Sequence, residues 1–148
     1  MKTQTTLLAI LLVFFAMSVQ AQTLSMSTYV EQTKVSPKLG TRVGIEFVNQ
    51  IGLGGFYQKS AIALEAEYGR PMTSENVFYG MYFGYPLMNR GAMDLKLNIR
   101  TGVTNGENFT ITPSVQSSFR LLQKVSLEAG VGVRSFRPTA MAGLRINL

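Results

Sequence analysis

A chain of 148 residues bounds one domain, and charged residues at 15% fall well below the globular norm of about 25%. With no Cys there is no disulfide, thiolate metal site or lipid-anchoring cysteine, and with no His the commonest general base and metal ligand is gone. The net charge of +6 is carried by Lys and Arg dispersed singly, which argues against the clustered basic patch of a nucleic-acid binder.

Met1 to Ala21 reads as a secretory signal peptide. Lys2 supplies the positive start, Leu7 to Met17 is the apolar run, and Val19-Gln20-Ala21 is a small-x-small cleavage site. The apolar run is too short for a helix crossing a hydrocarbon core, which needs about 20 residues. Residues 22–39 then form an N-terminal extension. Leu24, Met26, Thr28 and Val30 alternate weakly before Pro37 and Lys38 interrupt them. Either a periplasmic tail or an extra strand fits, and the tail is the favoured expectation.

From Gly40 to Leu148 the pattern is regular and reads as a β-barrel domain. Eight strands are predicted: Gly40–Asn49, Ile51–Gln58, Ala61–Gly69, Asn76–Pro86, Ala92–Val103, Asn108–Leu121, Lys124–Ser135 and Thr139–Leu148. Arg70 to Glu75 is a loop around Pro71, Leu87 to Gly91 is a turn, and Asn105-Gly106 closes a hairpin. The stretch from Ala92 to Val103 shows the principle. Met93, Leu95, Leu97, Ile99, Thr101 and Val103 alternate with Asp94, Lys96, Asn98, Arg100 and Gly102. Successive side chains of a strand point to opposite faces, so each such segment has one apolar wall and one polar wall. Across the eight segments the apolar parity carries no charge. The polar parity carries Arg42, Glu46, Glu65, Glu67, Asp94, Lys96, Arg100, Arg120, Lys124, Glu128, Arg134 and Arg145. Pro113 falls on the apolar parity inside the sixth segment, where its missing N–H suggests a bulge.

Parity alone does not say which wall faces in. A soluble lipocalin-like barrel turns its apolar wall inward, and a membrane barrel turns it to lipid. Three features favour the membrane barrel. The charged wall is interleaved with glycines such as Gly44, Gly54, Gly80, Gly102 and Gly143, which leave room beside long Arg and Glu side chains in a narrow lumen. Aromatics on the apolar wall, among them Tyr57, Tyr79, Tyr85, Phe109 and Phe119, lie near strand ends, where interfacial girdles sit. Segments of about 9–11 residues suit a tilted span. The predicted class is therefore an all-β, antiparallel up-and-down transmembrane barrel of eight strands.

Gly40 to Leu148 resembles the small eight-stranded outer-membrane barrels of the OmpA/OmpX type. The resemblance rests on strand count and on the ending MAGLRINL, in which Leu144, Ile146 and Leu148 look like a terminal assembly signal. Such signals usually finish in an aromatic, where this chain has Leu148. The resemblance implies outer-membrane localisation, outer-membrane lipid and the barrel assembly machinery as partners, and no cofactor.

Without His, acyl-chain or peptide cleavage is not expected, so the protein reads as a non-enzyme. Glu65 and Glu67, two apart on one face, resemble an acid–base pair, but neutralising lumen arginines explains them better because buried charges need partners. Arg100, Arg120 and Arg134 are expected to pair with Glu46, Glu65, Glu67, Asp94 or Glu128. The leading function is a barrel with a side-chain-filled lumen in a structural or surface-interaction role. The alternatives are a narrow solute channel or carrier and a soluble secreted barrel for an apolar ligand. The sequence names no surface ligand.

Overall fold

The computed structural model describes residues 23–34, 36–60 and 77–148. The signal peptide, the predicted strand Ala61–Gly69 with Glu65 and Glu67, and the predicted loop Arg70–Glu75 lie outside these residues. Eight strands run in chain order: β1 Thr23–Gln32, β2 Pro37–Glu46, β3 Gly52–Ser60, β4 Phe78–Arg90, β5 Met93–Thr104, β6 Asn108–Arg120, β7 Val125–Arg134 and β8 Arg137–Asn147. Each pairs antiparallel with the next, and β8 pairs with β1 to close the barrel. Closure leaves no sheet edge along most of the ring.

The tail expectation for residues 22–39 is overturned. Thr23–Gln32 is a full barrel strand held on both sides, with Tyr29 opposite Gly40 of β2 and Gly143 of β8. Pro37 does not break the pattern either. It opens β2, a position where a missing N–H costs no interior ladder bond. β3 pairs directly with β4 in the ring.

Alternation decides the walls. Along β1, Ser25, Ser27, Tyr29 and Glu31 are buried while Leu24, Met26 and Val30 are exposed. Along β6, Thr112, Ser114, Gln116 and Ser118 are buried while Phe109, Ile111, Val115 and Phe119 are exposed. The polar wall faces the lumen and the apolar wall faces outward all round, which removes the soluble barrel with an apolar interior. Inside, the apolar contribution is mainly aromatic: Phe56 and Phe78 meet edge to face at 4.6 Å, beside Tyr82.

The expected bulge is not at Pro113, whose pairing with Ile99 keeps β5 and β6 in register. It lies in β4, where the register shifts between Pro86 and Met88 and Leu87 becomes the extra, outward residue. Pro113 instead marks a border. Pairing of β6 with β7 starts at Ser114 opposite Gly132, so residues 108–113 pair with β5 alone.

The termini and the turns after β2, β4 and β6 share one end of the barrel. The C-terminal ends of β1, β3, β5 and β7 lie at the other. At that far end β7 and β8 are joined by Ser135 and Phe136, both left-handed with φ of 48° and 62°. A two-residue hairpin wants this backbone but prefers Asn-Gly, since a bulky residue there costs roughly 1–2 kcal/mol. Phe136 is also fully exposed, so its side chain returns little packing. Phe136→Gly is therefore expected to raise stability by about 1 kcal/mol, read as a higher urea midpoint in micelles. A lower midpoint would show that the ring makes contacts that outweigh its backbone strain.

Candidate functional site: the charged lumen

The lumen holds two charged clusters with Tyr29 between them. The cluster nearer the termini is centred on Arg42. Its guanidinium donates to Ser27 at 3.0 Å, to Gln116 at 2.8 Å and to Glu128. It also stands 5.3 Å from the centre of the Tyr29 ring and 5.5 Å from that of Tyr82, within cation–π range. Lys96 meets Glu46 at 2.7 Å. Arg145 reaches Glu46 at 3.4 Å, Glu128 at 3.7 Å and Asp94 at 4.0 Å, and donates to Ser118 at 3.4 Å. Three cations thus face three carboxylates. Neutral amides stitch them together: Gln116 accepts from Asn98 at 3.0 Å and donates to Ser114 at 3.1 Å.

The second cluster is centred on Arg100 and Glu31, each only 1% exposed at the side chain. Arg100 donates to the two Glu31 oxygens at 2.6 and 3.3 Å and to the Tyr29 hydroxyl at 3.0 Å. Gln58 donates to Glu31 as well. Arg134 lies beyond, 4.4 Å over the Phe78 ring, and donates to Thr104 at 3.3 Å.

Glycines make the room. A Cβ at Gly40 would fall inside the Tyr29 ring, and one at Gly143 would come within 2.6 Å of the Tyr29 Cβ. Tyr29 therefore lies flat between the two clusters only because both neighbouring strands offer glycine opposite it. Gly44 and Gly54 are directly paired and play the same part beneath Tyr82.

Of the residues expected to form the lumen network, Arg42, Glu46, Asp94, Lys96, Glu128 and Arg145 come together in the first cluster, and Arg100 is in the second. Arg100 takes Glu31 rather than Glu46, Asp94 or Glu128. Arg134 has no carboxylate within 4 Å among the described residues. Arg120, though on the inward parity, is exposed at the terminal-side end of β6. Glu65 and Glu67 lie outside the described residues. Sequence reasoning misses Glu31, Tyr29 and Lys38 because it reads residues 22–39 as a tail. The signal was present as polar Ser25, Ser27, Tyr29 and Glu31 alternating with Leu24, Met26 and Val30.

The space left inside is small. Between Arg42, Glu46, Lys96, Glu128 and Arg145 it amounts to about 30 Å³, enough for one or two waters. Among the described residues, no three Asp or Glu side chains stand close enough together to hold a metal ion.

A closed eight-stranded barrel with a polar, ion-paired interior and an apolar exterior has the fold of the small outer-membrane β-barrels. No family model and no curated protein sequence matches the chain. Solved structures do. A de novo designed transmembrane β-barrel is similar at a TM-score of 0.65 and 12% identity, covering 85% of this chain and 95% of that one. The N-terminal β-barrel domain of Pseudomonas aeruginosa OprF is similar at 0.59 and 9%, covering 85% and 97%. The Yersinia pestis outer membrane protein Ail, in a phospholipid bilayer nanodisc, is similar at 0.60 and 12%, covering 86% and 100%. At these identities the likeness is one of fold.

Proposed function

We propose that this protein is a small, non-enzymatic outer-membrane barrel whose lumen is closed by its own side chains, serving a structural or surface-interaction role. The observation that carries the reading is the inverted barrel. Charges bury themselves in mutual pairs inside, while Val43, Met81, Phe83, Leu127, Val131 and Leu144 stand exposed outside. In water such a wall would far exceed the few hundred Å² of contiguous apolar surface that soluble monomers expose. In lipid it is the required outer face, and the closed ladder satisfies the backbone groups that hydrocarbon cannot. Outward Leu144, Ile146 and Leu148 supply the apolar face of a terminal strand for the assembly machinery, and Leu148 N–H donates to Leu24 at 2.8 Å where the ring closes. Membrane barrels keep short turns on the periplasmic side, which puts the termini there and the far mouth outside.

The protein is expected to stay with membranes through carbonate or urea washing and to need detergent for release. Recovery in the soluble fraction would overturn the proposal. In planar bilayers the pure protein is expected to show no steady single-channel currents, since conduction requires opening the Arg42–Glu128 pair. Discrete reproducible openings would replace the structural role with a channel.

A further inference from the structure

The two clusters differ in charge balance. The one near the termini is neutral, with Arg42, Lys96 and Arg145 facing Glu46, Asp94 and Glu128. Toward the far mouth Glu31 is the one carboxylate facing the lumen among the described residues, and its oxygens are taken by Arg100 and Gln58. Beyond that pair the wall is basic. A cavity of about 370 Å³ opens there, lined by Lys34, Lys38, Arg134 and Arg137 together with the hydroxyl groups of residues such as Thr104 and Thr139. Lys38 is 4% exposed and Arg134 is 8% exposed. Neither has a carboxylate within 4 Å among the described residues. Arg134 and Arg137 are directly opposite each other across β7 and β8, an arrangement of like charges that destabilises a sheet.

Buried and opposed cations gathered round a polar cavity cost stability unless something negative joins them. We propose that the far mouth is a binding site for a phosphate-class oxyanion, with room for the small polar group that carries it. Arg134 and Arg137 supply forked donors suited to such oxygens, Lys38 supplies a point charge from below, and the hydroxyls complete the shell. The source of the oxyanion is either a soluble phosphate or a lipid headgroup. The second has a route, because residues 108–113 of β6 lack a partner on the β7 side. Thr110 and Ser135 line both the basic cavity and an outer apolar groove formed by Phe109, Ile111, Pro113, Val133 and Phe136.

The test uses the full mature chain folded in phosphate-free maltoside micelles, titrated with inorganic pyrophosphate and followed by amide chemical shifts and calorimetry. Saturable binding is expected, with shifts centred on Lys38, Thr104, Arg134 and Thr139, and it should weaken with added salt. Lys38→Met and Arg137→Gln should each weaken it by about tenfold, the effect of losing a hydrogen bond to a charged group. Arg137 is exposed, so its variant should fold as the parent does. Arg120→Gln, at the opposite end, should leave affinity unchanged. Shifts that never saturate, or an Arg120→Gln loss equal to that of Arg137→Gln, would overturn the proposal. To separate the sources, phosphatidic acid is added to phosphatidylcholine nanodiscs without pyrophosphate. Shifts at Thr104 and Arg134 would assign the site to lipid-borne phosphate, and their absence beside pyrophosphate binding would assign it to soluble phosphates.

Discussion

Glu31→Met is expected to destabilise the barrel by about 3–5 kcal/mol, the usual cost of stripping one partner from a buried ion pair. The cost comes from what is left behind. Arg100 is 1% exposed and cannot turn to solvent, and its Nε already lacks a partner. Without Glu31, Arg100, Arg134 and Lys38 would face one another with no carboxylate between them among the described residues, and Tyr29 and Gln58 would offer Arg100 only neutral oxygens. The double variant Glu31→Met with Arg100→Met should recover most of the loss, because apolar side chains of similar length replace both ions together. Urea unfolding in micelles gives all three values. If the two single effects simply add in the double variant, Arg100 is solvated and the pairing carries no such energy.

The same operation on Glu46 should cost less. Its side chain is 22% exposed, and loss of its carboxylate strands Lys96, whose side chain is 10% exposed, but leaves Arg145 with Asp94 and Glu128. Solvent at the terminal-side end screens what remains. The lumen is thus held most strongly at the Arg100–Glu31 centre, one layer below the basic mouth. Any anion bound in that mouth would act on a region where, among the described residues, Glu31 is the one carboxylate that stability depends on.

Alternation made most of the ring legible because most strands set a polar wall against an apolar one, β3 and β4 departing with Phe56, Phe78 and Tyr82 on the lumen side. β5 and β7 were readable to within a residue, since charges on one parity and aliphatics on the other leave no second register. β1 was not. Its lumen face begins with Ser25 and Ser27, which fit a tail as readily as a wall, and its one charge comes only at Glu31. Pro37 then looked like a break, although a first strand position tolerates proline. Ala61–Gly69 alternates as cleanly as any barrel strand and lies outside the described residues, while the eight described strands close a ring by themselves. The pairing inside the lumen was not legible at all. Parity says that Arg42 and Glu128 share a wall, but their meeting across the barrel from β2 to β7 depends on tilt, stagger and ring closure. That information is spread over every register in the sheet.

Leu97→Arg should cost roughly 2–4 kcal/mol, the range for a basic side chain on the outer face of a barrel near the bilayer midplane. Leu97 stands on the outward parity of β5 between Tyr85 of β4 and Val115 of β6, both exposed on the apolar wall. Its neighbour Lys96 points the other way and is bound to Glu46. Energetics alone does not identify the solvent outside, since placing Arg among apolar neighbours is costly in any barrel. Single cysteines do, and they can be introduced cleanly because the chain has none. In liposomes, a cysteine at position 97 should resist a water-soluble thiol reagent, and a fluorophore placed there during refolding should be quenched by a lipid-borne quencher. At position 96 the lumen should shield the probe from that quencher. If the probe at position 97 is untouched by lipid and its thiol reacts freely from water, the apolar wall is covered by something other than a bilayer and the membrane reading fails.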